Sequence, residues 1–423
     1  MSASPRGRVP LDSVDQEQTR ASDEREKTRL LHITTVPETF TFLGAQIDYM
    51  KSRGFTVHAL TSPGEHLDLF AERLQIPVHT VEMPRRISPL RDVLALWRVY
   101  GIIRRIRPHI VHAHTPKGGL LGTAAAYLAG VPVRVYHIHG LPFMTASGFR
   151  RVLLRWSEKT SCRLASQVLC VSPSVRKVAV AEGICPPAKI KVPARGSIGG
   201  VDALDRFNPD RTTPDARNAV RARYGMPEDA VVIGFVGRIV RDKGVGELVE
   251  AWKWLREEYA NLHLLVVGPF EPQDPVPPDA EECLRSDRRV HLVGLDWETP
   301  PLYAAMDLAV LPTYREGFGL VALEAGAMRL PVVATLVPGC VDAVRDGVTG
   351  TLVEPRDANA LADALRMYLN YPALRRAHGE AGRERALRDF RPEDVWEATF
   401  QEYQRLLASR CAGHRDIAEE SRL

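Results

Sequence analysis

Residues 231–267 read VVIGFVGRIVRDKGVGELVEAWKWLREEYANLHLLVV, and this stretch decides the fold. Six apolar residues, Val231–Val236, form a strand candidate. Gly237-Arg238 turn the chain, and Lys243-Gly244 lead into Val245–Tyr259, whose apolar positions recur with a helical period. Leu262–Val267 is a second short apolar run. Strand, loop, helix and strand in this order make a βαβ unit, and such units build parallel sheets. The alternation continues downstream through strand candidates Val290–Val293, Leu308–Leu311, Val332–Thr335 and Thr351–Val353, with helical patterns at Leu320–Met328 and Ala358–Leu369.

Upstream the same pattern appears as a separate series. Its strand candidates are Leu30–Val36, Thr56–Thr61, Ile110–Thr115, Val133–Ile138 and Val168–Val171, with helical patterns at Leu90–Ile106 and Phe149–Ala165. Residues 195–229, rich in Gly, Pro, Asp and Arg, interrupt the two series and read as a linker followed by a short helix, Ala216–Tyr224. The chain of 423 residues has room for two α/β domains. The expected fold is two Rossmann-like, doubly wound parallel-sheet domains facing a cleft. Ligands of such sheets bind beyond the carboxyl ends of the strands.

Composition narrows the function. The cysteines at 162, 170, 185, 283, 340 and 411 form no CxxC pair, which argues against a disulfide framework or a structural zinc site. Residues 1–28 and 411–423 are polar and read as tails, and the first lacks the apolar segment of a signal peptide. No run of about 18 apolar residues exists, so the sequence predicts a cytoplasmic protein. The net charge of +4 hides an asymmetry: residues 1–200 hold 28 Lys and Arg against 15 Asp and Glu, the remainder 28 against 37. From Arg85 to Arg163 there are 14 basic residues and only Asp92 and Glu158 as acids. A basic half suggests an anionic partner, either a membrane surface, a phosphorylated acceptor or nucleic acid.

Two strand-to-helix junctions carry the candidate chemistry. At the first, Gly237, Arg238 and Lys243 lie where a helix begins, and a helix start favours phosphate. Arg238 suits bidentate binding of a diphosphate and Lys243 adds a point charge. At the second, Glu316-Gly317-Phe318-Gly319-Leu320 follows an apolar strand and continues to Glu324. The glycines allow close backbone approach, and the two carboxylates are acceptors for sugar hydroxyls. In the first half, His139 ends Val135-Tyr136-His137-Ile138-His139-Gly140. Thr115-Pro116-Lys117-Gly118-Gly119 opens a helix, where Lys117 could meet an acceptor phosphate. His112 and His114 share one strand face, as do His137 and His139, but no carboxylate or Cys stands at ligand spacing, so no metal site is expected. Nor is there an Asp-x-Asp pair to clamp a metal diphosphate, and Arg238 and Lys243 make a metal unnecessary.

Together, Arg238, Lys243 and the Glu316-x7-Glu324 pair resemble the donor site of retaining glycosyltransferases of the GT-B fold, family 4. The resemblance covers roughly residues 30–408. It implies an N-terminal acceptor-binding domain at 29–210, a nucleotide-sugar-binding domain at 211–391, and a helix at 392–410 that returns to brace the first domain. By it, Arg238 and Lys243 hold the donor diphosphate. Glu316 and the backbone of Gly317, Phe318, Gly319 and Leu320 contact the donor sugar, Glu324 takes the ribose hydroxyls, and His139 points at the reacting sugar. The family's first loop is often glycine-rich and near the phosphates; in Pro37–Gly44 only Gly44 is available, beside Phe40 and Phe42. At Gly196-Ser197-Ile198-Gly199-Gly200-Val201-Asp202, Gly199 stands where relatives commonly have Asn. The finer likeness, in 42–64 and 112–140, is to bacterial surface-glycan enzymes that transfer N-acetylhexosamine to undecaprenyl-diphosphate-linked sugars. The implied partners are a nucleotide sugar, UDP-linked, and a lipid-linked or oligosaccharide acceptor, with no cofactor.

Two rivals remain. A nucleotide-sugar epimerase uses the same fold, which by itself does not separate the two. A nucleic-acid-binding protein would need aromatics interleaved with cations; Trp97, Tyr100 and Trp156 sit at helical spacing like packing residues, and the second half is acidic. The last expectation concerns an anionic membrane at the inner face of the cell. From Arg85-Arg86 to Arg107, Leu90, Val93, Leu94 and Trp97 fall on one helical face, while Arg91, Arg98 and Arg105 recur along another. Phe149–Ala165 repeats this with Leu153, Leu154 and Trp156 beside Arg150, Arg151, Arg155 and Lys159. Basic helices with Trp can lie in a lipid interface. The alternative packs both apolar faces on the sheet.

Overall fold

The computed structural model describes residues 27–64, 67–84, 88–211 and 214–420, without side-chain detail at 214 and 410–420. The expected tail up to residue 26, Arg85-Arg86, the Cys411 side chain and residues 421–423 lie outside the described residues.

The upstream series forms one parallel sheet from β1 (Arg29–Ile33), β2 (Thr56–Thr61), β3 (Val78–Thr80), β4 (Ile110–His114), β5 (Val133–Ile138), β6 (Gln167–Cys170) and β7 (Ile190–Lys191), in the order β3-β2-β1-β4-β5-β6-β7. The downstream series forms a second from β8 (Val231–Val236), β9 (Leu262–Val267), β10 (Val290–Gly294), β11 (Leu308–Leu311), β12 (Val332–Thr335) and β13 (Gly350–Val353), in the order β10-β9-β8-β11-β12-β13. Both are doubly wound Rossmann-like sheets. Strand order reverses between β1 and β4 and between β8 and β11, and ligands of open α/β sheets bind at such points. The two glutamate- and lysine-bearing loops therefore flank one switch point.

Helices cover both faces of each sheet. In the first domain, Phe40, Leu43, Ile47 and Met50 of helix Phe40–Ser52 bury against Leu30, Val57, Val133 and Val135. In the second, Val245, Leu248, Trp252 and Leu255 of helix Val245–Glu258 bury against Ile233, Phe235, Leu264 and Val266. Helix Pro392–Glu420 runs back to the first domain and past residue 410, where the sequence reading ends it. Tyr403 and Leu406 enter the first domain's core beside Phe55, and Arg53 pairs with Glu397 at 3.1 Å. The linker around Gly200 is tied to the same crossing, with the Val201 amide donating to the Phe390 carbonyl at 2.9 Å.

Two local readings are corrected. The strands β3 and β7 were hidden in sequence because three and two residues are too few to show a period. The first loop is also shorter than expected: Pro37–Thr39 is a 3-10 turn and the helix begins at Phe40. Gly44 is thus a buried helix residue facing the Leu74 side chain, not a loop glycine near phosphates. Phe40 is core, and only Phe42 of the pair is exposed.

Candidate active site

The site is assembled at the β8/β11 switch point. After β8, Gly237 takes φ 149°, and Arg241–Lys243 form a 3-10 turn capped by Gly244 in the left-handed region. This turn delivers Lys243 to the start of helix Val245–Glu258. After β11, the loop reaches Gly319, which takes φ 80° and caps helix Leu320–Ala327. The two loops meet: the Lys243 ammonium donates to the Glu316 carboxylate. Burial would push the Glu316 carboxyl up, but Lys243 and the Gly317 amide, which donates to Oε1 at 3.2 Å, outweigh it and hold it below the usual carboxylate range. A fixed negative charge thus stands beside a fixed positive one in the cleft.

Arg238 is half exposed and pairs with Glu271 at 2.6 Å. Its guanidinium is therefore still open to solvent on one side. Glu324 lies further along the helix, where its carboxylate accepts from the Tyr303 hydroxyl at 2.8 Å. Burial pushes its pKa up to about 7, a rise the Tyr303 bond partly offsets. Phe318 is buried and meets Phe390 edge-on at 5.3 Å. It anchors the glycine loop rather than presenting a side chain to a ligand.

The first domain closes on this loop at His139-Gly140. A Cβ at Gly317 would collide with the His139 carbonyl oxygen, so only glycine permits this approach. His139 Nε2 is hydrogen-bonded to His114 Nδ1 at 2.9 Å, and burial lowers its pKa to about 4, so the ring is neutral. Lys117 sits in the first turn of helix Pro116–Leu128, where it pairs with Asp92 at 2.8 Å.

Sequence reasoning missed the residues that join the domains. Thr145 donates to Asp242 at 3.2 Å, and Arg315 binds both Thr145 and Asp242, at 3.0 and 2.9 Å. Ser174 meets Asp342 through its hydroxyl and also through its amide, at 3.1 Å. The partners that cross between domains are 97 to 170 residues apart in the chain and share no motif, so no sequence spacing marks them. His32 was also missed. Pairing of β1 with β4 sets it directly beside His112 and completes a patch of five histidines.

Both domains match known family models. Residues 41–196 match the model of the glycosyl transferase 4-like domain, and residues 230–370 that of glycosyl transferases group 1. The capsular polysaccharide biosynthesis glycosyltransferase CapM of Staphylococcus aureus is 31% identical over 382 residues, covering 90% of this chain and 97% of that protein. The chain belongs to the family 4 glycosyltransferases. The UDP-Gal:alpha-D-GlcNAc-diphosphoundecaprenol alpha-1,3-galactosyltransferase of Escherichia coli is 28% identical, covering 66% and 71% of the two chains. Among solved structures, Anabaena HepE in complex with UDP superposes with a TM-score of 0.71 at 21% identity, covering 89% of this chain and 99% of that one. The GT-B fold of this glycosyltransferase is thereby shown.

Proposed function

We propose that this glycosyltransferase moves a hexose or N-acetylhexosamine from a UDP-linked sugar to a lipid-linked acceptor, with retention, in bacterial surface-polysaccharide assembly. The observation that carries the reading is the meeting of Lys243 and Glu316 at a strand switch point, against His139 of the facing domain. The donor diphosphate takes the place of carboxylate partners at Arg238 and Lys243, two cations that neutralise a leaving group without a divalent ion. Glu316 is freed to hold the hexose, and Glu324, carrying a proton near neutral pH, is suited to the ribose hydroxyls. The acceptor's proton passes to the leaving diphosphate on the donor's own face. The acceptor diphosphate competes with Asp92 for Lys117. Relatives whose names carry capsular polysaccharide and diphosphoundecaprenol support the acceptor class.

The acceptor's lipid also fits the surface. Leu90, Trp97, Phe149, Val152 and Trp156 are exposed, between 56% and 88%, while Ala95, Val99 and Ile103 are the residues of helix Pro89–Ile106 that pack inward. No described helix is long and apolar enough to cross a membrane. Exposed apolar side chains beside Arg91, Arg98, Arg150 and Arg151 suit reversible binding to the anionic inner face of the cell membrane. The test of the transfer reaction is NMR of the product glycoside. Retention of the donor's anomeric configuration, with rates unchanged by EDTA or added Mg2+, supports the reading; an inverted product overturns it.

A further inference from the structure

His32 on β1, His112 and His114 on β4, and His137 and His139 at the end of β5 pack on one face of the first sheet. That face is covered by helix Pro392–Glu420. Their rings stack, with His112 and His114 centroids 4.1 Å apart and His137 and His139 4.6 Å apart. Each ring offers two nitrogens. His32 Nδ1 meets His114 Nε2 at 2.9 Å, His114 Nδ1 meets His139 Nε2 at 2.9 Å, and His112 Nδ1 meets the Tyr403 hydroxyl. The other nitrogens are His32 Nε2, His112 Nε2, both of His137 and His139 Nδ1. They are buried and have no hydrogen-bond partner among the described residues. An unpaired buried polar atom costs stability, and a sheet face carrying five of them is poor as a plain core.

The chemistry suits a metal ion. His32, His112 and His114 are fully buried side by side, and imidazole nitrogen is a ligand of late first-row metals. Metal-bound histidines characteristically fix their second nitrogen by a hydrogen bond. His112 Nδ1 is fixed by Tyr403 and His114 Nδ1 by His139, which leaves Nε2 of each. One nitrogen from each of His32, His112 and His114 lies within 4.8 Å of the others. Two ligands on a tetrahedral zinc are about 3.3 Å apart, so the 2.9 Å between His32 Nδ1 and His114 Nε2 needs to open only slightly. His32 Nε2 has no such partner, so one ligand of the three lacks a fixed second nitrogen; the overlapping set of His114, His137 and His139 is less suited, because neither nitrogen of His137 is fixed and no hydroxyl orients any of its rings as Tyr403 orients His112.

We propose that His32, His112 and His114 bind a late first-row transition-metal ion, Zn2+ in the first instance, beneath the cleft and one hydrogen bond from His139. A water in the fourth position, its pKa brought to about 7 by zinc, offsets part of the charge as hydroxide. The ion joins β1 and β4 under the helix that carries Tyr403 and takes no part in sugar transfer. The proposal does not rest on the transferase reading, because its readout is metal on the resting protein.

The experiment is metal analysis of untagged protein expressed in Co2+-supplemented minimal medium. About one Co2+ per chain is expected, with the visible absorption of a tetrahedral nitrogen-ligated site. His112→Phe, which keeps a ring in the stack, and His32→Gln should each lose most of the metal. Tyr403→Phe frees the second nitrogen of His112 and should weaken binding by about 10–100-fold, which keeps the test open if a ligand variant fails to fold. His263→Phe is the control. In the second sheet His263 Nδ1 meets His291 Nε2 at 2.9 Å, the same geometry with only two rings. Metal content there should not change. Less than about a tenth of a Co2+ per wild-type chain, or equal loss in His263→Phe, overturns the proposal.

Discussion

The two sheets share one winding yet present opposite chemistry at their carboxyl edges. Around the β8/β11 switch point the second domain sets full charges in fixed pairs, Lys243 with Glu316 and Arg238 with Glu271. Around β1/β4 the first domain sets neutral imidazoles, and its charges lie instead on outer helices beside exposed Leu90, Trp97 and Trp156. One fold can thus carry paired charges at one edge and an apolar, basic outer face elsewhere, because loops and outer faces vary while the sheet stays.

The comparison breaks most readily at the charged pair. Lys243→Ala and Glu316→Gln should each lower kcat by about 10²–10³, the usual loss of one preorganised charge at a transition state. Both should leave the fold intact, since both side chains sit in loops. A variant retaining more than a tenth of wild-type turnover would place the donor elsewhere.

Membrane binding probes the other side. Trp97→Ala with Trp156→Ala should reduce flotation on anionic vesicles by about tenfold or more, and wild-type binding should fade as salt approaches about 0.5 M. Unchanged flotation of the double variant would mean that these helices face water alone.

Buried carboxyls and buried histidines titrate in opposite senses. The Glu324 pKa is raised to about 7, so the folded protein keeps a proton that the unfolded chain has released, and stability falls as pH rises toward 7. Glu158 in the first domain, raised to about 7 by burial, adds to that slope. The buried histidines are depressed, His263 of the second domain to about 4, so the unfolded chain takes protons first and stability falls as pH drops below their ordinary range. Thermal melts against pH should show both limbs. Glu324→Gln should reduce the loss on the rising-pH side, leaving the share of Glu158, and keep the acid limb unchanged; the reverse pattern would misplace the buried proton.

The smallest effect concerns Lys117. Its partly buried pair with Asp92 ties two helices, so Lys117→Ala should cost about 1 kcal/mol of stability. If the acceptor diphosphate displaces Asp92, the acceptor KM should also rise several-fold while the donor KM stays. Loss of stability alone would confine Lys117 to structure.

The sequence made much of this legible, and unevenly. Strands such as Thr56–Thr61, Val133–Ile138 and Val231–Val236 are read to the residue because buried parallel strands are apolar runs with sharp polar ends. The junction residues are legible because the strand, loop and helix order places them. Contacts across loops and between domains are not. Asp242 with Thr145 and Ser174 with Asp342 depend on how two rigid sheets face each other, and Tyr303 with Glu324 on how two helices of the second domain pack. Gly44 was misplaced because a proline turn and a helix share the composition of a loop. Trp97 and Trp156 looked like packing residues because helical period shows which residues share a face, and not which way that face turns.

The most direct measurement is a thermal-shift titration of wild type and Lys243→Ala with UDP and other nucleoside diphosphates. At about 100 times its dissociation constant a ligand adds about 2.7 kcal/mol of stability. UDP should produce that shift in wild type and fail to produce it in Lys243→Ala. A wild type that answers to no nucleoside diphosphate, or a variant that answers equally, would contradict the donor site at Lys243.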